Sequence, residues 1–359
     1  MRNRADGRTG PKGLPDGRGR AVRYAPFSGL EGPVRTSVRP PDRPLTPVLV
    51  GPTAVGKTAV AVALGQRIPL TVISADARQV YRRLDIGTAK PSAVVRAQVP
   101  HEGVDLVEPG ERFSAGRFAR EAAGWLTAAR AAGRVPLVVG GTGFYIRALA
   151  DGLFQEPPLD PARRDRLRDW TAALRGPDLS RWALRLDPRF SGGGRQRAAR
   201  ALEVALLTGR PLSLWQRMAR AAGVMRPWYI VLTVPRELLR RRIAERVDVM
   251  LAAGFVDEVR AELARGTAPD AAGLDGVGYR DVVAMLAGRI RPDDLRDAIV
   301  RSSRQYAKRQ ETWFRNQLRV QPSAVSHQQE TVWTLDATRD PTELAEVIAS
   351  RWRTVTADS

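Results

Sequence analysis

The chain has 359 residues, 43% of them hydrophobic, with 58 Lys and Arg against 38 Asp and Glu and a formal charge of +20. That length suits one large α/β domain with an insertion, or two domains; no apolar run approaches the ~20 residues of a membrane span, and the basic N-terminus lacks the apolar core of a secretory signal. The absence of cysteine excludes disulfides and thiolate metal sites, and two histidines, His101 and His327, are too few for a histidine-rich centre; a cytoplasmic protein is expected, and a divalent ion would be held by oxygens.

Residues 1–45 are rich in Gly, Pro and Arg without apolar periodicity and read as a disordered basic arm, with ten basic and four acidic residues. Val48-Leu49-Val50 is a buried strand, followed by Gly51-Pro52-Thr53-Ala54-Val55-Gly56-Lys57-Thr58 and an Ala- and Val-rich helix. In this G-x-x-x-x-G-K-T spacing the glycines let backbone N–H groups curl toward phosphate oxygens at the positive end of the helix. Lys57 brings a point charge to the outer phosphates, and the Thr58 hydroxyl is placed for Mg2+. The loop binds a di- or triphosphate, without saying which.

Leu70-Thr71-Val72-Ile73-Ser74 is a second strand, leading to Asp76. A helix is expected over 114–132, stopped by Gly133, and the strand Leu137-Val138-Val139 leads into Gly140-Gly141-Thr142-Gly143. This alternation predicts an α/β fold: a phosphate-loop NTPase-like parallel sheet with flanking helices and ligands at the carboxyl ends of its strands. Over 153–212 the texture changes; Pro157-Pro158 breaks the chain, and arginine-rich helical segments read as a mostly helical insertion domain. Trp228-Tyr229-Ile230-Val231-Leu232-Thr233-Val234 returns to strand. Helices are expected over 236–252, stopped by Gly254, over 293–315, and over 343–352 after the strand Val332-Trp333-Thr334-Leu335. The catalytic core is thus 46–152 and 213–355.

Five constellations carry chemistry. Asp76, at a strand end near the phosphate loop, suits a general base or a magnesium partner, or caps a turn. The tract Asp85-Ile86-Gly87-Thr88-Ala89-Lys90-Pro91 offers hydroxyl, backbone and Lys donors, and Gly140 to Gly143 permits close approach of a ligand; either is also plain turn chemistry. Arg242 and Arg246 share a helix face and form either a pyrophosphate clamp or part of a solvated arginine face with Arg240 and Arg241. Tyr306-Ala307-Lys308-Arg309-Gln310-Glu311-Thr312-Trp313-Phe314-Arg315 interleaves bases with aromatics, as core or as a nucleic-acid channel.

The phosphate loop, the run Ser74 to Pro91, Val139 to Ile146, Arg200-Ala201-Leu202-Glu203, the Arg242/Arg246 pair, Gly278-Tyr279 and Gln305 to Arg315 together resemble tRNA dimethylallyltransferases, in order, over about 47–320. The resemblance implies transfer of a dimethylallyl group from its pyrophosphate to the exocyclic amino group of the adenosine 3′ of the anticodon, in tRNAs reading codons that start with U. It implies that the loop from Gly51 to Thr58 holds the prenyl pyrophosphate. Lys57, Thr58 with Mg2+, and Arg242 would stabilise the leaving group, with Arg246 the alternative arm of the clamp. Asp76 would accept the amino proton, with Thr142 near the reacting centre, and the base must leave the anticodon loop to reach them. The matching tRNA contacts are Asp76, Ala77, Arg78, Gln79, Thr142, Arg164, Gln196, Arg197, Ala198, Ala199 and Arg200. The insertion would then grip the anticodon stem–loop, which accounts for its arginines; a monomer without membrane attachment is expected.

Two departures stand out. Ala77 occupies a place where the family commonly has Ser, and Gly192-Gly193-Gly194 replaces Asn-Asp before the arginine-rich helix. The rival readings are an adenylate isopentenyltransferase, a phosphate-loop small-molecule kinase and a non-enzymatic RNA-binding module. The first has no use for a large arginine-rich insertion, and the last leaves the magnesium-type loop unexplained.

Overall fold

The computed structural model describes residues 43–153, 159–218, 222–319 and 332–357. In chain order these form β1 (Leu45–Val50), α1 (Lys57–Gly65), β2 (Leu70–Ser74), α2 (Ala93–Gln98), β3 (His101–Glu102), α3 (Ala115–Ala131), β4 (Val135–Gly140) and α4 (Gly143–Asp151). Then come α5 (Pro161–Ala173), α6 (Gly176–Leu186), α7 (Arg195–Thr208), α8 (Leu212–Met218), β5 (Arg226–Thr233), α9 (Arg236–Ala252), α10 (Phe255–Ala264), α11 (Tyr279–Leu286), α12 (Leu295–Arg319), β6 (Val332–Asp336) and α13 (Pro341–Ala357).

The strands make one sheet in the order β3-β2-β4-β1-β5-β6, with every pairing parallel. Successive strand residues point to opposite faces, and both faces are covered. Val48, Val50, Ile73 and Val138 pack on one side with Phe118, Ile146, Phe255, Tyr279, Ile299 and Phe314. Leu49, Val72, Leu137 and Ile230 pack on the other with Val60, Leu64, Leu344 and Ile348 from α1 and α13. Trp228 lies 6.0 Å from Trp333 and 5.7 Å from Trp352, centroid to centroid, which fastens α13 to the β5–β6 edge. Double-sided burial explains why these strands read as continuous apolar runs.

Helices α6 and α7 share an apolar cluster of their own, Leu179, Ala183, Ala198, Ala201 and Leu202. The helical texture expected there is present, and α8 carries it on to Met218, past the expected boundary at 212. Strand β1 begins at Leu45, earlier than the sequence pattern indicates, because Leu45 and Thr46 pair with Arg226 and Pro227 of β5. The Arg43 guanidinium donates to the carbonyl of Ala150 at 2.7 Å, so residues 43–45 belong to the fold and not to the arm; the rest of that arm, 1–42, lies outside the described residues, as does the Pro157-Pro158 break.

Candidate active site

Three strand ends meet at the carboxyl edge of the sheet. Val50 of β1 pairs with Gly140 of β4, and Val139 of β4 pairs with Ser74 of β2. The phosphate loop, the glycine turn and Asp76, separate in sequence, therefore leave the sheet side by side.

The phosphate loop turns through left-handed backbone at Ala54 (φ 63°) and Gly56 (φ 111°), and Gly56 caps α1. No acidic residue sits in the first turn of α1, so its positive end keeps its field. The Lys57 ammonium donates to the carbonyls of Gly51 (2.9 Å) and Pro52 (2.8 Å). Burial lowers its pKa to about 8; the Asp76 carboxylate opposes that fall and the Arg246 charge adds to it. Thr58 is exposed on the first turn of α1.

Beside the loop is a cavity of about 240 Å³ with two characters. Thr53, Asp76, Arg78, Arg246 and Tyr306 line it with polar groups; Ile243, Val247, Met250, Phe255 and Tyr279 line it with apolar ones. Ile243, Arg246, Val247 and Met250 follow the i, i+3, i+4, i+7 spacing of one face of α9, so one helix supplies both a cation and an apolar wall. Burial lowers the Arg246 pKa, and Asp76 again opposes the fall.

Asp76 accepts the backbone N–H of Arg78 through Oδ1 at 2.8 Å, a short turn that fixes the carboxylate at the strand end. Thr142, at the N-cap of α4, accepts the N–H of Ala77 through Oγ1 at 3.0 Å, and Tyr306 stands beside it. Burial, reinforced by the Asp76 charge, pushes the Tyr306 phenol up to about 12. Asp76 and Tyr306 thus line the cavity, with Thr142 beside them.

The two arginines of α9 have different roles. Arg246 lines the cavity. Arg242 donates to the carbonyls of Val55 (3.1 Å) and Ala337 (3.2 Å), bracing the phosphate loop against the turn after β6. Sequence spacing placed them on one face but could not tell which of them faces the cavity.

Several tRNA-contact candidates have their groups engaged within the protein. Arg78 donates to the carbonyl of Ala272 at 2.8 Å, and Gln79 bonds Ser74 Oγ and the carbonyls of Thr88 and Ala89. The Ala77 side chain packs on the core, which needs no hydroxyl there. Ala198 is fully buried, in the apolar cluster that α6 and α7 share. Arg164 and Arg200 both bond the buried Glu203, the latter at 2.7 Å, while Gln196 and Arg197 are exposed and Ala199 is half-buried. Gly192, Gly193 and Gly194 all take positive φ (85°, 119° and 84°), a path side chains rarely adopt, so the turn before α7 depends on glycine.

The tract 85–91 offers its donors inward. The Glu258 carboxylate of α10, not singled out in the sequence, accepts the N–H groups of Asp85, Ile86 and Gly87 at 2.7, 2.7 and 3.2 Å, and the Tyr279 hydroxyl at 2.6 Å. Thr88 Oγ1 donates to Leu84, and Lys90 to Tyr81 and Asp105. Gln310 of α12 stands in the tract 306–315 without a separate role in the sequence reading; its side chain meets both the phosphate loop and the glycine turn. The available signal was a polar residue between Ala307 and Phe314 on the apolar stripe of α12.

A parallel sheet with this loop at the carboxyl ends of its strands defines a phosphate-loop α/β protein. Two family models match: one described as IPP transferase over residues 79–317, the other as isopentenyl transferase over 46–97. The chain belongs to the IPP transferase family. It is 44% identical over 273 residues to a tRNA dimethylallyltransferase of Syntrophobacter fumaroxidans, covering 75% of this chain and 80% of that protein. It is 44% identical over 290 residues to a tRNA dimethylallyltransferase of Alkalilimnicola ehrlichii, covering 78% and 90%. The crystal structure of a full-length tRNA isopentenylpyrophosphate transferase from Bacillus halodurans is similar with a TM-score of 0.61 at 32% identity, covering 88% of this chain and 99% of that one. A eukaryotic dimethylallyltransferase acting on tRNA shares the fold, with a TM-score of 0.67 at 23% identity over 87% and 80% of the two chains.

Proposed function

We propose that the chain transfers a dimethylallyl group from dimethylallyl pyrophosphate to the exocyclic amino group of the adenosine 3′ of the anticodon (position 37) in tRNAs reading codons that start with U. The carrying observation is the mixed lining of the cavity beside the phosphate loop: Arg246, Thr53 and Ala54, with Lys57 and the N-terminus of α1 in the adjoining loop, suit a pyrophosphate, and Ile243, Val247 and Met250 next to them suit a short apolar tail. Its amphiphilic lining fits a prenyl diphosphate better than a nucleoside triphosphate. The tRNA names of the relatives and the basic helices α5 to α7 support tRNA as acceptor.

In this reading the amino nitrogen attacks C1 of the dimethylallyl group, the C1–O bond breaks, and its electron pair leaves with pyrophosphate. The nitrogen's extra proton goes to Asp76, which Thr142 and Tyr306 flank. Lys57, the loop N–H groups and Arg246 take up the charge that develops on the leaving oxygen. Arg242, assigned to the leaving group from the resemblance, acts here by bracing Val55. Hard oxygen donors suit Mg2+, and the exposed Thr58 hydroxyl is the ligand this chain would offer. The ion, when bound with the diphosphate, supplies further positive charge. The protein would work as a cytoplasmic monomer.

The test is incubation with labelled dimethylallyl pyrophosphate and tRNA, AMP or neither, with and without EDTA. Label in tRNA, lost with EDTA and restored by Mg2+, is expected. Label in AMP alone would make the chain an adenylate prenyltransferase.

A further inference from the structure

Gln310 is nearly fully buried on α12, in the stripe that also buries Ala307 and Phe314. Its side-chain oxygen accepts the N–H of Thr53 in the phosphate loop at 2.8 Å. Its amide nitrogen donates to the carbonyl of Gly141 at 3.1 Å, one residue before Thr142. One planar amide therefore joins the donor side of the site to its acceptor side. The fit is close: a Cβ at Gly141 would stand 2.0 Å from the Gln310 amide nitrogen, so only glycine lets the turn approach.

Both contacts fall at critical points of the backbone. Thr53 immediately precedes Ala54, where the loop turns left-handed. Gly141 immediately precedes the residue whose hydroxyl holds Ala77, beside Asp76. Tyr306, one helical turn before Gln310, stands beside Thr142. Helix α12 thus sets the distance between the phosphate cradle and the carboxylate that faces the attacking amine.

We infer that Gln310 is a positioning residue that fixes the register between bound prenyl pyrophosphate and the acceptor amine. It touches neither reacting atom. Its role rests on the function proposed above and extends it to the geometry of transfer. A loose register costs rate more than binding, because each substrate keeps its own contacts; a misplacement of ~1 Å costs on the order of 10²-fold.

The experiment compares wild type, Gln310→Met, which removes both bonds at similar volume, and Gln310→Glu, which keeps an acceptor for Thr53 but offers the Gly141 carbonyl no donor while ionised. Single-turnover transfer at saturating substrates, dimethylallyl pyrophosphate affinity, tRNA affinity and folded fraction are measured on each. For Gln310→Met the rate constant per folded molecule should fall about 10- to 100-fold with both affinities within about threefold. Gln310→Glu should fall between wild type and Gln310→Met. Gly141→Ala, which crowds the same amide, should reproduce the loss, and the double variant should lose no more than the worse single one. A wild-type rate in folded Gln310→Met overturns the inference, as does a loss carried by donor affinity alone. If Gln310→Met does not fold, Gln310→Glu and Gly141→Ala decide by the same criteria. A wild-type chain that fails to prenylate tRNA would sink the proposed function itself, whereas an active wild type with an unimpaired variant sinks only the positioning role.

Discussion

Asp76 carries the proton step in the proposed reaction. Asp76→Asn should slow single-turnover transfer by ~10²–10⁴-fold, the usual range for loss of a general base, with donor and tRNA affinities near normal; transfer at the wild-type rate would remove the carboxylate from the chemistry. Lys57 gives the site a pH dependence. Its pKa of about 8 means that the ammonium, the form that attracts pyrophosphate, is lost as pH rises through 8. Dimethylallyl pyrophosphate affinity should therefore fall above pH 8 by up to about tenfold per pH unit, and binding near pH 8 should take up protons, which calorimetry in buffers of different ionisation enthalpy reads out. Lys57→Ala should bind donor weakly at every pH and lose that slope. The arginine pair divides by readout. Arg246→Ala should cost about 1.5–3 kcal/mol of donor interaction as a lost charge-assisted contact. Arg242→Ala should lower the melting temperature first, because it frees the carbonyls of Val55 and Ala337. The reverse pattern would return the clamp to Arg242.

At the scale of elements, Glu258 is the test case. One carboxylate holds three successive backbone N–H groups, so the loop at 85–87 owes its shape to a helix about 170 residues away. Glu258→Ala should destabilise the protein by about 2–5 kcal/mol in urea unfolding, with hydrogen exchange quickening at Asp85, Ile86 and Gly87; unchanged exchange there would show that the loop holds itself. This contact also marks where the sequence became opaque. The strands β1, β2, β4 and β5 were legible because apolar runs, glycines and the loop spacing are local signals. The pairing of β1 with β4, which assembles the site, follows from the family of fold. The inward turning of residues 85–91 did not show, since a donor-rich tract looks alike whether its donors meet a ligand or Glu258. The same limit hid the difference between Arg242 and Arg246, which lies in what each side chain meets. Helices α10 and α11 went unread, although Phe255 and Val259, then Tyr279, Val282 and Val283, recur at helical spacing.

For the whole molecule, helices α5 to α7 are the face we propose for tRNA. Arg164, Arg168 and Arg200 surround the buried Glu203, so four charges leave a surplus of about two positive units on that face once one carboxylate is counted against three guanidinium groups. Substituting Arg164 or Arg200 disturbs a buried ion pair as well as any RNA contact, which makes the exposed Arg197 the cleaner probe. Arg197→Ala should weaken tRNA binding and lower its salt slope by up to ~0.7, the value for one lost single-strand phosphate contact, without changing donor affinity. Equal affinities across a salt series would remove Arg197 from the tRNA face.

The brace between α12 and the phosphate loop also has a consequence in time. Thr53 and Gln310 are 257 residues apart in the chain. At a synthesis rate of roughly 5–20 residues per second, the ribosome makes the donor loop about 13–50 s before the residue that locks it to the acceptor turn. A nascent chain can build β1, α1 and the cradle early, but the transfer geometry closes only when the helix that ends at Arg319 has emerged. Fragments truncated before Gln310, whether from stalled translation or proteolysis, would retain the phosphate loop without the brace that aligns it for transfer.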